Sequence, residues 1–280
     1  MGADLLYFNL LLYVKAYGLH AEWRRKLEWF KMSPRLLDSQ EEQFYRDLSW
    51  CGCSYERGIS MFRRDYIVRM IEDMTAMVAK VLTLKQDKKT TEALWEVDEL
   101  LMRHFRLNSR LLNSLSVEDI IDMFRLGGVL ESDKLQGVAR LLKEEGGIYS
   151  AKGEQEQALF RAMRSLHLFL YADLHGADRE MLNMTEEIGE LLEQVKPYRL
   201  PAKTERLLLA YMEAMGRYAK AEDSLYRLWE QGEDVAAEGS ALYERLLQHP
   251  PEALAQGGLP LDEVVQGRNE WSKLTQNAII

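Results

Sequence analysis

The sequence predicts an all-α protein built from antiparallel helical hairpins, and three observations support that fold class. No proline lies between Pro34 and Pro197, and this stretch is rich in the residues that favour helices. Apolar residues in it recur at intervals of three and four, as they do on one face of a helix. No run of β-branched and aromatic residues alternates with polar ones, so no sheet is predicted.

The first predicted hairpin lies between Asp65 and Phe105. Its first helix runs from about Asp65 to Leu84, and the methionines Met61, Met70, Met74 and Met77 have the spacing of a core face rather than of an adaptable binding groove. A polar break at 85–89 separates it from a second amphipathic helix. Two such helices joined by a short polar turn form an antiparallel pair.

The next two helices carry clear end signals. Ser116 begins one of them, because its hydroxyl and the Asp119 carboxylate form a capping box. Gly127-Gly128 is expected to end that helix, and Gly146-Gly147 to end the helix from Asp133 to Glu145. The remaining predicted helices are 154–174, 179–195, one that begins at Thr204 and breaks at Gly216, its partner to Trp229, 235–248, and a last one at 261–274 that caps the array or swings free as a tether.

The first sixty residues differ from the rest. They contain eight Lys or Arg and eight Asp or Glu, so the whole net charge of −9 falls on residues 61–280. The segment Glu56-Arg57-Gly58 is compatible with purine-rich codons that resemble a ribosome-binding site before Met61. We therefore predict a non-native or dispensable extension at 1–60, a hairpin domain at 61–250, and a linker with a C-terminal helix at 251–280; a real helical extension at 1–60 is the alternative.

Composition limits the classes of partner and compartment. A net charge of −9 repels nucleic acid phosphates and anionic lipid, so a basic protein or peptide is the favoured partner. Cys51 and Cys53 give no disulfide framework, which fits a reducing, cytoplasmic compartment. The apolar stretch Leu5–Val14 is too short to span a membrane. The sequence leaves the oligomeric state open.

Two segments resemble tetratricopeptide (TPR) repeats. Gly216-Arg217-Tyr218 with Ala221 is similar to the turn and second helix of a TPR unit, and Gly146, Tyr149, Gly153 and Ala158 form a weaker copy. The resemblance implies hairpins stacked as an α-solenoid, with an irregular helical bundle as the alternative. The segment that opens Met61-Phe62-Arg63-Arg64 also resembles a bacterial family of unknown function.

Two groups of residues are candidates for partner binding. Arg63, Arg64, Tyr66 and Arg69 form a basic and aromatic cluster that could hold an anion, or that is a solvated helix face. The TPR resemblance implies a concave surface, on which Tyr211, Tyr218 and Trp229 are candidate contacts unless they belong to the core.

No motif predicts catalysis. Nucleophile elbows, phosphate-binding glycine loops and HExxH are absent from the sequence, and no catalytic, cofactor-binding or metal-binding residue is predicted. His167 and His175 have no metal spacing, and the carboxylate pairs Glu144-Glu145 and Glu186-Glu187 are expected on solvated faces. The sequence favours a non-catalytic scaffold, with a small-ligand regulator or an enzyme with an unrecognised site between helices as alternatives.

Overall fold

A computed structural model describes the backbone of residues 52–277 and the side chains of residues 65–276. Most of the prediction for residues 1–60 therefore lies outside the described residues. The α-helices are α1 Gly52–Gln86, α2 Thr90–Leu100, α3 Ser109–Ser114, α4 Val117–Met123, α5 Ser132–Ala151, α6 Gln155–Leu174, α7 Met184–Val195, α8 Ala202–Ala214, α9 Tyr218–Glu230, α10 Ala236–Leu246, α11 Pro251–Gln256 and α12 Leu261–Asn277. The prediction that the chain is mainly α-helical is confirmed for the described residues.

Helices α1 and α2 form the predicted first hairpin. The Lys80 ammonium pairs with Glu96 near the turn, and the Asp73 carboxylate lies 3.0 Å from His104 Nε2 at the far end, so the two helices run antiparallel. One detail differs from the prediction: α2 ends at Leu100, and a π-helix, Leu101–Phe105, continues it. The methionines of α1 that the structure describes are buried, as the spacing predicted: Met70, Met74 and Met77.

The prediction that Gly127-Gly128 ends a helix was wrong, and so was the absence of any sheet. Helix α4 starts with the predicted capping box at Ser116 but ends at Met123. Two short strands follow, β1 Arg125–Leu126 and β2 Val129–Leu130, paired antiparallel. Both glycines have positive φ, +58° and +84°, which a two-residue hairpin turn requires.

Helices α5 and α6 form a long hairpin, and the turn between them lies later in the chain than predicted. Helix α5 continues through Gly146 to Ala151, and the chain reverses at Gly153, whose φ is +83°. A Cβ on Gly146 would lie 3.2 Å from the Ala158 carbonyl oxygen, so this glycine lets the two helices approach closely. Packing against α6 therefore overrides the helix-ending tendency of the glycine pair.

The predicted helix 179–195 is shorter in the structure. Leu182 and Asn183 have φ of +57° and +53°, a left-handed conformation that breaks the helix. A short 3₁₀ turn, Met181–Asn183, therefore precedes α7, which begins at Met184.

From Asp65 onward the described chain forms one compact unit with two adjoining apolar clusters. The larger cluster takes residues from Met70 to Ala221, and α6 lies inside it, packed against α5, α7 and α8. The smaller cluster joins α9, α10 and α12 and includes Leu225, Leu242 and Trp271. Helix α12 packs against α10, with Val264 and Trp271 buried. No described helix is long and apolar enough to cross a lipid bilayer.

Candidate functional site

Helices α8 and α10 lie side by side and run in the same direction. Two sets of ion pairs join them: Arg206 with Glu238 toward one end, and Glu213 with Arg245 toward the other. In both sets the partners are 32 residues apart in the chain. The constant separation follows from the parallel course of α8 and α10, which α9 connects.

An open cleft of about 620 Å³ lies at the C-terminal ends of these two helices. Its wall combines small and apolar side chains with a charged pair and two aromatic rings. The lining residues are Ala210, Glu213, Ala214, Met215, Gly216, Tyr218, Arg245 and His249. A volume of this size falls in the range of small-molecule clefts.

The polar groups of the cleft are fixed by specific contacts. Arg245 donates two hydrogen bonds to Glu213, of 2.6 and 2.8 Å, and these bonds raise the pKa of the Arg245 guanidinium. The Tyr218 ring is stacked on His249 with 5.2 Å between ring centroids. Tyr218 also packs closely against Gly257, where any Cβ would lie 2.2 Å from the ring. The cleft wall is therefore preorganised.

The predicted partner-binding residues occupy different environments. Tyr218 lines the cleft, whereas Tyr211 is 2 % exposed in the core and Trp229 packs edge-on against Trp271. Arg69 is exposed, and the Tyr66 hydroxyl donates a hydrogen bond of 2.7 Å to the His104 carbonyl. The side chains of Arg63 and Arg64 lie outside the described residues. The binding roles of these seven residues stay predictions.

The sequence predicted no metal-binding role for His167, and the structure places its side chain in a defined environment. It is 4 % exposed between α6 and α8, and its Nδ1 lies 2.9 Å from the Thr204 hydroxyl. Burial is the largest of the effects that together lower the pKa of His167 to about 4; Glu118 opposes it, and Lys203 and Arg164 add to it. The neutral imidazole therefore joins the two helices at neutral pH.

The prediction that the carboxylate pairs lie on solvated faces was wrong for three of the four residues. Glu145 is 1 % exposed and pairs with Arg161 at 2.7 Å, with Ser109 donating a further hydrogen bond of 2.6 Å. Glu144 and Glu187 are also buried and both pair with Arg140. The positions of these carboxylates in the sequence do not reveal their burial, because the arginines that pair with them lie on other helix turns or on other helices.

Fold and site together define a class: a mostly helical protein with successive packed hairpins and an open surface cleft. No group of three or more His, Cys, Asp or Glu side chains in the described part of the chain is arranged to hold a metal ion. Within this class the chain belongs to a family of unknown function, DUF6483, whose model matches residues 61–276. No curated protein and no solved structure matches the chain. The matched segment begins at Met61, while the non-native or dispensable character of residues 1–60 stays a prediction.

Proposed function

We propose that this protein is a non-catalytic scaffold in the cytoplasm, whose helical hairpins stack in a TPR-like manner and which binds a protein partner in the cleft between α8 and α10. The cleft itself carries the proposal. It is open to solvent and combines apolar surface from Ala210, Ala214 and Met215 with the polar groups of Tyr218 and His249. An extended peptide needs both kinds of contact, since its side chains are partly apolar and its backbone needs hydrogen-bond partners.

The arrangement of α8, α9 and α10 supports the repeat interpretation. The separation of 32 residues between paired positions on α8 and α10 is close to the roughly 34 residues of a TPR unit. Gly216 turns the chain with a φ of +66°, and Ala221 is fully buried where α9 packs against α8. In an array of this kind the first helices of successive hairpins line the binding surface.

Site-specific photocrosslinking tests the proposal. A photoreactive phenylalanine analogue at Ala210 of the full chain, expressed at native level, is expected to capture one protein partner. The same analogue at Glu193, a 74 % exposed side chain on α7, is the matched control and is expected to capture none. Ala214→Trp, which fills the cleft, is expected to compete with the partner and reduce the Ala210 crosslink at least fivefold. Equal capture from both positions, or none at Ala210, would refute the proposal.

A small-ligand regulator is the second candidate, and the volume of the same cleft favours it. A metabolite that occupies the cleft is expected to raise the melting temperature of the wild-type chain but not of Ala214→Trp. Stabilisation of both proteins by the same metabolite would place its binding site elsewhere.

A further inference from the structure

Helix α2 presents a tryptophan side chain to solvent. Trp95 is 63 % exposed, whereas the other two described tryptophans, Trp229 and Trp271, lie in or against the smaller apolar cluster. No aromatic ring, cationic group or hydrogen-bond acceptor in the described part of the chain contacts the Trp95 indole. Ala93 and Val97, on the opposite side of the helix, are fully buried. Helix α2 is therefore anchored in the core without the help of Trp95.

The residues around Trp95 are acidic. Glu92 and Glu99 lie one helical turn before and one turn after it, which places all three on one face of α2. The helix contains four carboxylates and no Lys or Arg between Thr90 and Leu100. Met102, in the π-helix that follows, adds a second exposed apolar side chain. We call the surface formed by Glu92, Trp95 and Glu99 the acidic tryptophan face.

The carboxylates of α2 leave an excess of negative charge at this face. Glu96 pairs with Lys80 and Glu99 pairs with Arg103, and in both pairs the cationic side chain is more than half exposed. Glu92 makes no ion pair with a described residue. Because exposed ion pairs contribute little to stability, a cation from a partner can replace Arg103 beside Glu99 at small cost.

A positively charged side chain is the occupant that fits this face. The face of an indole ring attracts a cation, and the planar guanidinium of arginine also stacks on it. Carboxylates on either side of the ring strengthen that attraction, whereas they repel an acidic peptide. Lys88 and Lys89, in the turn before α2, bound the acidic surface at the start of the helix. The cation is therefore expected at Trp95 and Glu99.

We propose that the acidic tryptophan face binds a basic peptide segment of a partner protein, with an arginine side chain stacked on the Trp95 indole between Glu92 and Glu99. Tryptophan and arginine are among the side chains that most often dominate the binding energy of an interface. A chain with a net charge of −9 also attracts such a segment at long range, which speeds the encounter. The face lies on α2 and makes no use of the cleft between α8 and α10, so this inference is independent of the proposed function.

Fluorescence anisotropy with the full chain tests the proposal. The probe is a fluorescent peptide of Arg-Ala-Ala repeats, and a peptide of Glu-Ala-Ala repeats, which should not bind, is its control. We expect Trp95→Ala to weaken binding of the arginine peptide about fivefold, which corresponds to about 1 kcal/mol. Tyr198→Ala removes another exposed aromatic ring at the same net charge and is expected to leave binding unchanged. Because both rings lie in solvent, circular dichroism should show wild-type helix content for both variants.

A matched pair of charge variants separates local contact from long-range attraction. Glu92→Gln and Glu193→Gln change the net charge equally, but only Glu92→Gln is expected to weaken binding of the arginine peptide, by about threefold. Ala214→Trp, which fills the cleft, is expected to have no effect. Equal binding by wild type and Trp95→Ala, equal effects of the two charge variants, or no binding of the arginine peptide overturns the proposal. Loss of binding in Ala214→Trp would locate the peptide in the cleft and would overturn it as well.

Discussion

Acidification is expected to weaken the contact between α6 and α8 through His167. The folded-state pKa of this buried imidazole is about 4, whereas its ordinary value is 6.5. A histidine whose folded pKa is lowered binds fewer protons in the folded chain, so the unfolded chain is favoured as pH falls below 6.5. The contribution of His167 to stability is therefore complete at neutral pH and is lost progressively between pH 6.5 and pH 4.

The size of the loss in stability follows from the width of the pH interval. Each pH unit in this window costs about 1.4 kcal/mol, so the folded chain loses about 2 kcal/mol of its unfolding free energy between pH 7 and pH 5 through this residue. His167→Asn removes the titrating group and keeps a side chain able to bond the Thr204 hydroxyl. We expect the variant to be less stable than the wild type at pH 7, because its smaller side chain leaves a void. Between pH 7 and pH 5, however, its free energy of unfolding should fall by about 2 kcal/mol less than that of the wild type.

Urea unfolding at pH 7 and pH 5 measures this difference. Carboxylates also titrate in this range, so the comparison between wild type and variant, rather than the wild-type curve alone, isolates His167. Gly189→Ala changes no titratable group and has open space for its Cβ, so its pH dependence should match that of the wild type. Parallel pH curves for wild type and His167→Asn would refute the assigned pKa and with it the burial argument.

Three further predictions concern packing and charge. Gly146→Ala is expected to cost about 1–3 kcal/mol in chemical denaturation because its Cβ meets the backbone of α6, whereas Gly189→Ala is expected to stabilise by about 0.5–1 kcal/mol. Arg161→Met leaves the Glu145 carboxylate buried and is expected to cost about 3–5 kcal/mol, and Glu145→Met in the same chain should recover most of that loss; an additive double variant would contradict the pairing. Arg245→Ala breaks an ion pair whose arginine side chain is 49 % exposed, so the free energy of unfolding obtained from thermal denaturation should fall by no more than about 1 kcal/mol.

The local pattern of the sequence determined the class of fold and several helix boundaries. Apolar periodicity located the helices of the first hairpin and the buried methionines of α1, because one helix face must be apolar wherever it packs against another element. The capping box at Ser116 was predicted correctly, since it depends only on residues three positions apart. Tyr218, a candidate contact from the TPR resemblance, lines the cleft, and its binding role stays a prediction.

Tertiary contacts decided what local signals left ambiguous. Glycine pairs end helices in isolation, yet Gly146 lies within α5 because α6 needs its missing side chain, while Gly127 turns a strand instead. The burial of Glu145 depends on Arg161 from another helix, and the cleft depends on α8 and α10 lying side by side. The sequence by itself determined that the chain is mainly helical and where most of its helices lie, because helix propensity and periodicity act over a few turns. Only the tertiary structure decided where α5 ends and which helices meet, because each such contact joins residues distant in the chain.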